Sequence, residues 1–372
     1  MTRSVSQRVA VIGAGAWGTA LARHLADKQI SVRLWAHEPE VVQAIEQRRE
    51  NVVFLPGVQL PSTLTATDQL SDAVAGADCV IFAVPSHVAR LVLSRIGPLL
   101  PQSVPFVSAT KGIEETTLKL MTQVMQEVLP SHMRNSLMVL SGPSFASEVS
   151  QGKPTALCLA GQDPGAVKAI QALFMTPTFR VYADDDLIGV QLGGSLKNVM
   201  ALAAGVVDGL ELGHNARAAL ITRGLAEMIR LGLAMGADPR TFYGLSGVGD
   251  LILTCTGPLS RNHSVGDGWE RANGWTEFLR VCRQWPKASA QPRQRWVWRN
   301  DAGWTCRLSR RSTRFSSPTN PAVRQSVTSW SAEPRKKRPC HESRSVAGVA
   351  DGGSAGRRGG AGCAAPVAHA AV

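Results

Sequence analysis

The chain has 372 residues, 44% of them hydrophobic, enough for two domains with a sizeable core. Its formal charge of +12 is uneven: residues 1–266 hold 21 basic and 21 acidic side chains, while residues 267–372 hold 19 and 7. A neutral body argues against a nucleic-acid partner, even with Arg335-Lys-Lys-Arg338 in the basic stretch. No apolar run reaches the roughly 18 residues needed to cross a bilayer, and no stable membrane insertion is expected. Met1–Arg8 carries no signal-peptide pattern, so a cytoplasmic protein is expected. Cys79, Cys158, Cys255, Cys282, Cys306, Cys340 and Cys363 form no CxxC pair and no metal-ligand spacing, which points to free thiols and no metal.

Arg8–Ile12 reads as a buried parallel strand, followed at once by Gly13-Ala-Gly-Ala-Trp-Gly18 and a helix from Thr19 to Asp27. Ser31–Trp35 is the next strand. That strand, glycine turn, helix and strand together form a dinucleotide site. Gly13 permits the tight turn, Gly15 the approach of the pyrophosphate, and Gly18 the close packing of helix on strand, with the phosphates at the helix N-terminus. At the end of the second strand stand Ala36-His37-Glu38. Glu38 suits ribose hydroxyls and His37 suits a 2′-phosphate, which leaves NAD and NADP both open. Residues 78–85, 105–109 and 137–140 read as further buried strands. Their exits, Pro85-Ser-His87, Thr110-Lys-Gly112 and Ser141-Gly-Pro-Ser144, should face one crevice.

Lys197 lies in Gly193-Gly-Ser-Leu-Lys-Asn198, on an apolar helix expected from about Ile188 to Ala204. A lone ammonium there is costly to bury, and desolvation would lower its pKa towards a value useful for proton transfer. A snorkelling lysine is the plain alternative. Asp250, behind the glycines of Gly247-Val-Gly249, can pair with Lys197, bind a substrate hydroxyl or cap a helix. Asn198 can orient Lys197 or pack helices. Ser260-Arg-Asn262 offers a hydroxyl, a guanidinium fork and an amide, a set suited to a phosphate.

GAGAWGTALA, LWAHEPE, ENVVFLPG, AVPSH, SATKGIE, SGPSFASEV, GVQLGGSLKNVMALAAGVVDGL, NARAALITRGLAEM and GLSGVGDLILTCTGPLSRN follow one another through residues 8–263. In order and spacing they resemble bacterial NAD(P)-dependent glycerol-3-phosphate dehydrogenases. One departure is Ala16, where that family often has Ser. The resemblance implies an oxidoreductase interconverting sn-glycerol 3-phosphate and dihydroxyacetone phosphate, supplying glycerol 3-phosphate for phospholipid synthesis. It implies Lys197 as general acid/base. It assigns the small phosphorylated substrate to Lys111, Gly142, Ser144, Lys197, Asp250, Ser260, Arg261 and Asn262. It assigns NAD or NADP to Gly13, Gly15, Ala16, Trp17, Gly18, His37, Lys111, Ala146 and Arg261. A cousin dehydrogenase acting on a hydroxyacyl-CoA or a sugar acid is the rival within this architecture.

The expected fold class is α/β. Residues 1–186 form a doubly wound parallel (Rossmann) sheet, and residues 187–266 a truncated all-α part. Residues 267–372 form a basic tail, disordered or out of frame. Around Arg283-Gln-Trp-Pro-Lys-Ala-Ser-Ala290, G in the free third positions lets the shifted codons spell Ala-Val-Ala-Glu-Gly-Val. The resembled family carries Val-x-Glu-Gly about this far beyond Ser-Arg-Asn. Behind Gly266 the sequence therefore reads as frameshifted, and reading it in the other frame gives a frame-restored chain. The missing helices should leave the apolar faces of 188–204 and 217–232 uncovered, and should withhold the surface through which related enzymes form homodimers. An inactive product that still binds a dinucleotide is the accompanying alternative.

Overall fold

The computed structural model describes residues 7–100 and 104–271; most of the stretch read as an out-of-frame tail lies outside the described residues. β1 (Arg8–Ile12), α1 (Ala16–Asp27) and β2 (Ser31–Trp35) form the first unit, the helix starting three residues earlier than its periodicity suggests. The chain continues outward through α2 (Pro39–Arg48), a hairpin of β3 (Glu50–Asn51) and β4 (Leu55–Gln59), and β5 (Leu64–Thr67). After α3 (Leu70–Val74) it returns to pair β6 (Cys79–Phe82) with the other side of β1. It then builds away from β1 through α4 (Ser86–Ile96), β7 (Phe106–Ser108), α5 (Met121–Val128) and β8 (Leu137–Ser141). The short α6 (Ala146–Ser150), β9 (Thr155–Gly161), α7 (Pro164–Phe174) and β10 (Phe179–Asp184) finish the sheet.

The strand order is β10-β9-β8-β7-β6-β1-β2-β5. Every neighbouring pair is parallel except β8 and β9, which run antiparallel, so the doubly wound sheet is mostly rather than wholly parallel. The antiparallel step has a consequence for the site. Both ends of the β8–β9 connection lie at the same end of the sheet, which holds Gly142–Ala146 at the mouth formed by the exits of β1, β6 and β7.

The strands are apolar on both faces because helices cover both. Val9 and Val11 point into one core with Leu21, Leu25 and Phe174. Ala10 and Ile12, the alternate residues, point into the other with Phe82, Leu93 and Phe106.

The helical part begins with α8 (Leu187–Gly209), longer at both ends than expected, and α9 (Gly213–Ala234). A single π turn, Leu245–Gly249, leads into α10 (Asp250–Thr256), and α11 (Arg261–Arg271) continues five residues past Gly266. Leu192, Ala201, Ala204, Met228, Phe242, Leu251 and Cys255 form their shared core. By length and composition α8 could span a bilayer, contrary to the reading of the sequence, but over half of that stretch is buried inside the protein. The expectation of two uncovered faces needs a second correction. The face of α8 is closed by α9, α10 and α11, whereas α9 buries only Gly224, Met228 and Gly232.

Candidate active site

The chain leaves β1 towards β2 and later returns to β6 on the opposite side, which makes the gap above β1 and β6 a topological switch point. Gly13 sits in that gap with φ +112°, and a Cβ there would lie 2.8 Å from the carbonyl oxygen of Ala83 at the end of β6. A methyl on Gly18 would run into the Gly13 carbonyl, so the helix can start this close to the strand only with glycine. Gly15 stands ahead of α1 in extended conformation with no side chain capping the helix. The first N–H groups of α1 therefore remain available to an anion. Trp17 packs on the first core, its buried Nε1 without a partner. Backbone donors and an orphan indole fit a dinucleotide held by Gly15, Ala16 and Trp17, with Gly13 and Gly18 giving the room. Replacing Gly15 with Val should weaken NADH binding by at least about tenfold, since a side chain enters the phosphate position. Fluorescence titration checks this on the chain as it stands; equal binding by both proteins would remove the dinucleotide from this loop.

Lys111, Gly142, Ser144, Lys197 and Asp250 come together from four segments. Lys111 leaves the end of β7, and its Nζ donates to the Gly142 carbonyl at 2.8 Å and to Asp250 Oδ2 at 2.9 Å, with Ser144 Oγ at 3.4 Å. Gly142, at φ +139°, aims that carbonyl, which also accepts from Ser144 Oγ. Lys197 pairs with Asp250 Oδ1. Two glycines explain how α8 delivers it. A methyl on Gly193 would strike the Ser246 carbonyl of the π turn, and one on Gly194 would strike Ser141 Oγ at the end of β8. The helix thus lies against both, and Lys197, one turn further, faces the first residue of α10.

Lys197 is 7% exposed and Asp250 fully buried, so the snorkelling alternative does not hold. Burial, with the neighbouring Lys111 charge, pushes the Lys197 ammonium down to about 7 against the opposing pull of Asp250. Asp250 therefore neither caps a helix through its side chain nor waits for a single partner; it bridges two lysines. Lys111 also lies 6.0 Å over the Trp17 ring, which links this cluster to the glycine loop.

Ser260 is buried ahead of α11, and its Oγ accepts the His263 N–H at 3.3 Å. Asn262 donates to Asn198 Oδ1 at 2.9 Å, which brings the Ser-Arg-Asn triplet beside the residue following Lys197. Asn198 thus ties α8 to α11 and has no recorded bond to Lys197. Arg261 is exposed and has no ion-pair partner among the described residues. Ala16 and Ala146, the first residues of α1 and α6, pack half-buried on the first core. His37 is exposed at the end of β2, its ring tilted against Trp35 at 6.1 Å, and Glu38 precedes α2 without capping it. Sequence reasoning missed Thr254, whose hydroxyl donates to the Asp250 carbonyl at 2.6 Å and lies 3.5 Å from Oδ1. Its spacing of four residues from Asp250 was the available signal.

A carbonyl reduced by hydride needs a proton source beside the nucleotide, and a buried lysine of depressed pKa at a switch-point crevice answers that need. The class so defined is the nicotinamide-dependent dehydrogenases. Residues 8–167 match the model of the NAD-dependent glycerol-3-phosphate dehydrogenase N-terminus, and residues 186–285 that of its C-terminus. A glycerol-3-phosphate dehydrogenase (NAD(P)+) of Geobacter sulfurreducens is 55% identical over 262 residues, covering 70% of this chain and 78% of that protein. One from Bacillus pumilus is 48% identical over 261 residues, covering 70% and 76%. The crystal structure of a Coxiella burnetii glycerol-3-phosphate dehydrogenase superposes with TM-score 0.71 and 38% identity, covering 77% of this chain and 86% of that one. The chain belongs to the NAD-dependent glycerol-3-phosphate dehydrogenase family.

Proposed function

We propose that this site interconverts sn-glycerol 3-phosphate and dihydroxyacetone phosphate with NAD(H) or NADP(H), supplying glycerol 3-phosphate for phospholipid synthesis. The carrying observation is the buried Lys197–Asp250–Lys111 cluster, joined to the glycine loop through Trp17 and to Ser260-Arg-Asn262 through Asn198. The nicotinamide, when bound, gives or takes the hydride at C2. In reduction the Lys197 ammonium gives its proton to the C2 oxygen as that oxygen gains charge; in oxidation the free amine takes it back. A pKa near 7 keeps both forms populated around neutrality. Asp250 holds the lysine head in place, and Lys111 adds positive charge beside the developing alkoxide. Gly142 and Ser144 line the same wall.

Arg261, Ser260 and Asn262 make the phosphate clamp in this reading, with Arg261 also reaching the cofactor. His37 beside a 2′-phosphate and Glu38 beside ribose hydroxyls remain the two supports for NADP and NAD. We assign residues 1–186 to dinucleotide binding and residues 187–266 to the partial substrate domain, whose completed form would make a homodimer. Arg261→Lys tests the clamp in the frame-restored enzyme. The planar fork is lost while the charge stays, so KM for dihydroxyacetone phosphate should rise about tenfold with kcat nearly unchanged. Unaltered KM would remove Arg261 from the phosphate.

A further inference from the structure

The hairpin of β3 and β4 sends one side chain under the glycine loop. Asn51, fully buried, donates from Nδ2 to the Ala14 carbonyl at 2.8 Å and to Thr19 Oγ1 at 2.8 Å. Thr19, equally buried, donates its hydroxyl to the same carbonyl at 3.2 Å. Asn51 Oδ1 accepts the Phe54 N–H at 3.0 Å, which forces the amide nitrogen towards Ala14. The Ala14 carbonyl is thus held into the protein by two donors. Its flanking glycines would otherwise let that peptide rotate at little cost. A rotated peptide would turn a carbonyl oxygen to the side where phosphate oxygens approach the N-terminus of α1.

The hairpin does not need this amide to stay in place. Leu55, Val58 and Leu60 anchor it in the core, and the Leu60 N–H to Arg49 carbonyl bond and the Gly57 N–H to Glu50 Oε1 bond close it, both at 2.7 Å. The donors of Asn51 serve the glycine loop instead.

We propose that Asn51 is a positioning residue for the cofactor pyrophosphate, keeping the Ala14 carbonyl turned away so that the α1 N–H groups face the phosphates. The inference rests on the dinucleotide reading of that loop. Asn51→Leu removes both hydrogen bonds that the amide donates, to the Ala14 carbonyl and to Thr19 Oγ1, without adding charge, and Asn51→Asp removes them while keeping the acceptor for Phe54. Calorimetry on the full chain with ADP-ribose and with AMP separates a pyrophosphate effect from general damage. Both variants should bind ADP-ribose about tenfold more weakly, as the loss of one to two hydrogen bonds would give, with AMP changed less than about threefold. Equal weakening of both ligands, or a loss confined to Asn51→Asp, would overturn the proposal, the second result pointing to charge alone. If Asn51→Leu does not fold, Thr19→Val, which removes one of the two donors, is read in its place by the same criterion. Failure of the unaltered chain to bind ADP-ribose would overturn the dinucleotide reading itself, and the role of Asn51 with it.

Discussion

Lys197→Met in the frame-restored enzyme is expected to lower kcat for dihydroxyacetone phosphate reduction by at least about 10²-fold, the usual contribution of a positioned proton donor. The substitution should spare the fold. Asp250, the buried partner, keeps Lys111 at 2.9 Å, so no carboxylate is left alone in the interior. The pH dependence separates proton transfer from mere charge. Burial first, then the Lys111 charge, favours the neutral amine and lowers the pKa from 10.5 to about 7. Reduction uses the ammonium, so its kcat should fall as pH rises through about 7. Oxidation uses the amine, and its kcat should rise over the same interval. Lys197→Arg keeps the charge but gives up no proton in this range, and should be as impaired as Lys197→Met. Near-normal turnover of either variant would end the acid/base assignment.

Much of this site could be read from the sequence because its parts are local. The glycine loop sits between a buried strand and a helix, and two of its glycines, Gly13 and Gly18, answer to a steric need that the structure displays. Lys197 was legible because a single ammonium on a glycine-rich apolar helix conflicts with its surroundings. What escaped is long-range. The direction of β9 is not encoded in Thr155–Gly161, since an apolar run reads alike in parallel and antiparallel pairs. The pairing of Asn198 with Asn262 joins residues 64 apart in sequence, and Asn51 reaches a carbonyl 37 residues away. Neither distance leaves a periodic mark. The cover over α8 is equally long-range: α10 is short and α11 carries two glycines, yet both fold back on it. Gly205 and Gly266 permit that approach, a methyl on either striking the backbone of the opposite helix.

The second large effect concerns the chain as it stands, which should bind the dinucleotide yet have little or no dehydrogenase activity. Its described residues retain the lysine pair, Asp250 and the Ser-Arg-Asn triplet. The described helical part nevertheless leaves Leu210, Leu212, Leu233, Tyr243, Ile252 and Leu259 exposed, and the apolar Leu220, Ile221, Leu225 and Ile229 of α9 are only partly buried. Fraying or association of α9 is the expected consequence. On the frameshift proposal, Arg283-Gln-Trp-Pro-Lys-Ala-Ser-Ala290 stands where the other frame would spell Val-Ala-Glu-Gly. On that proposal, shifting the frame behind Gly266 would restore the segment and leave the first 266 residues unchanged. The direct measurement is NADH oxidation with dihydroxyacetone phosphate by two purified proteins, one as it stands and one frame-restored. The expected result is turnover by the frame-restored protein and a kcat/KM lower by at least about 10²-fold, or undetectable, for the other. Comparable kcat/KM for the two would contradict it and make residues 267–372 a competent part of the enzyme.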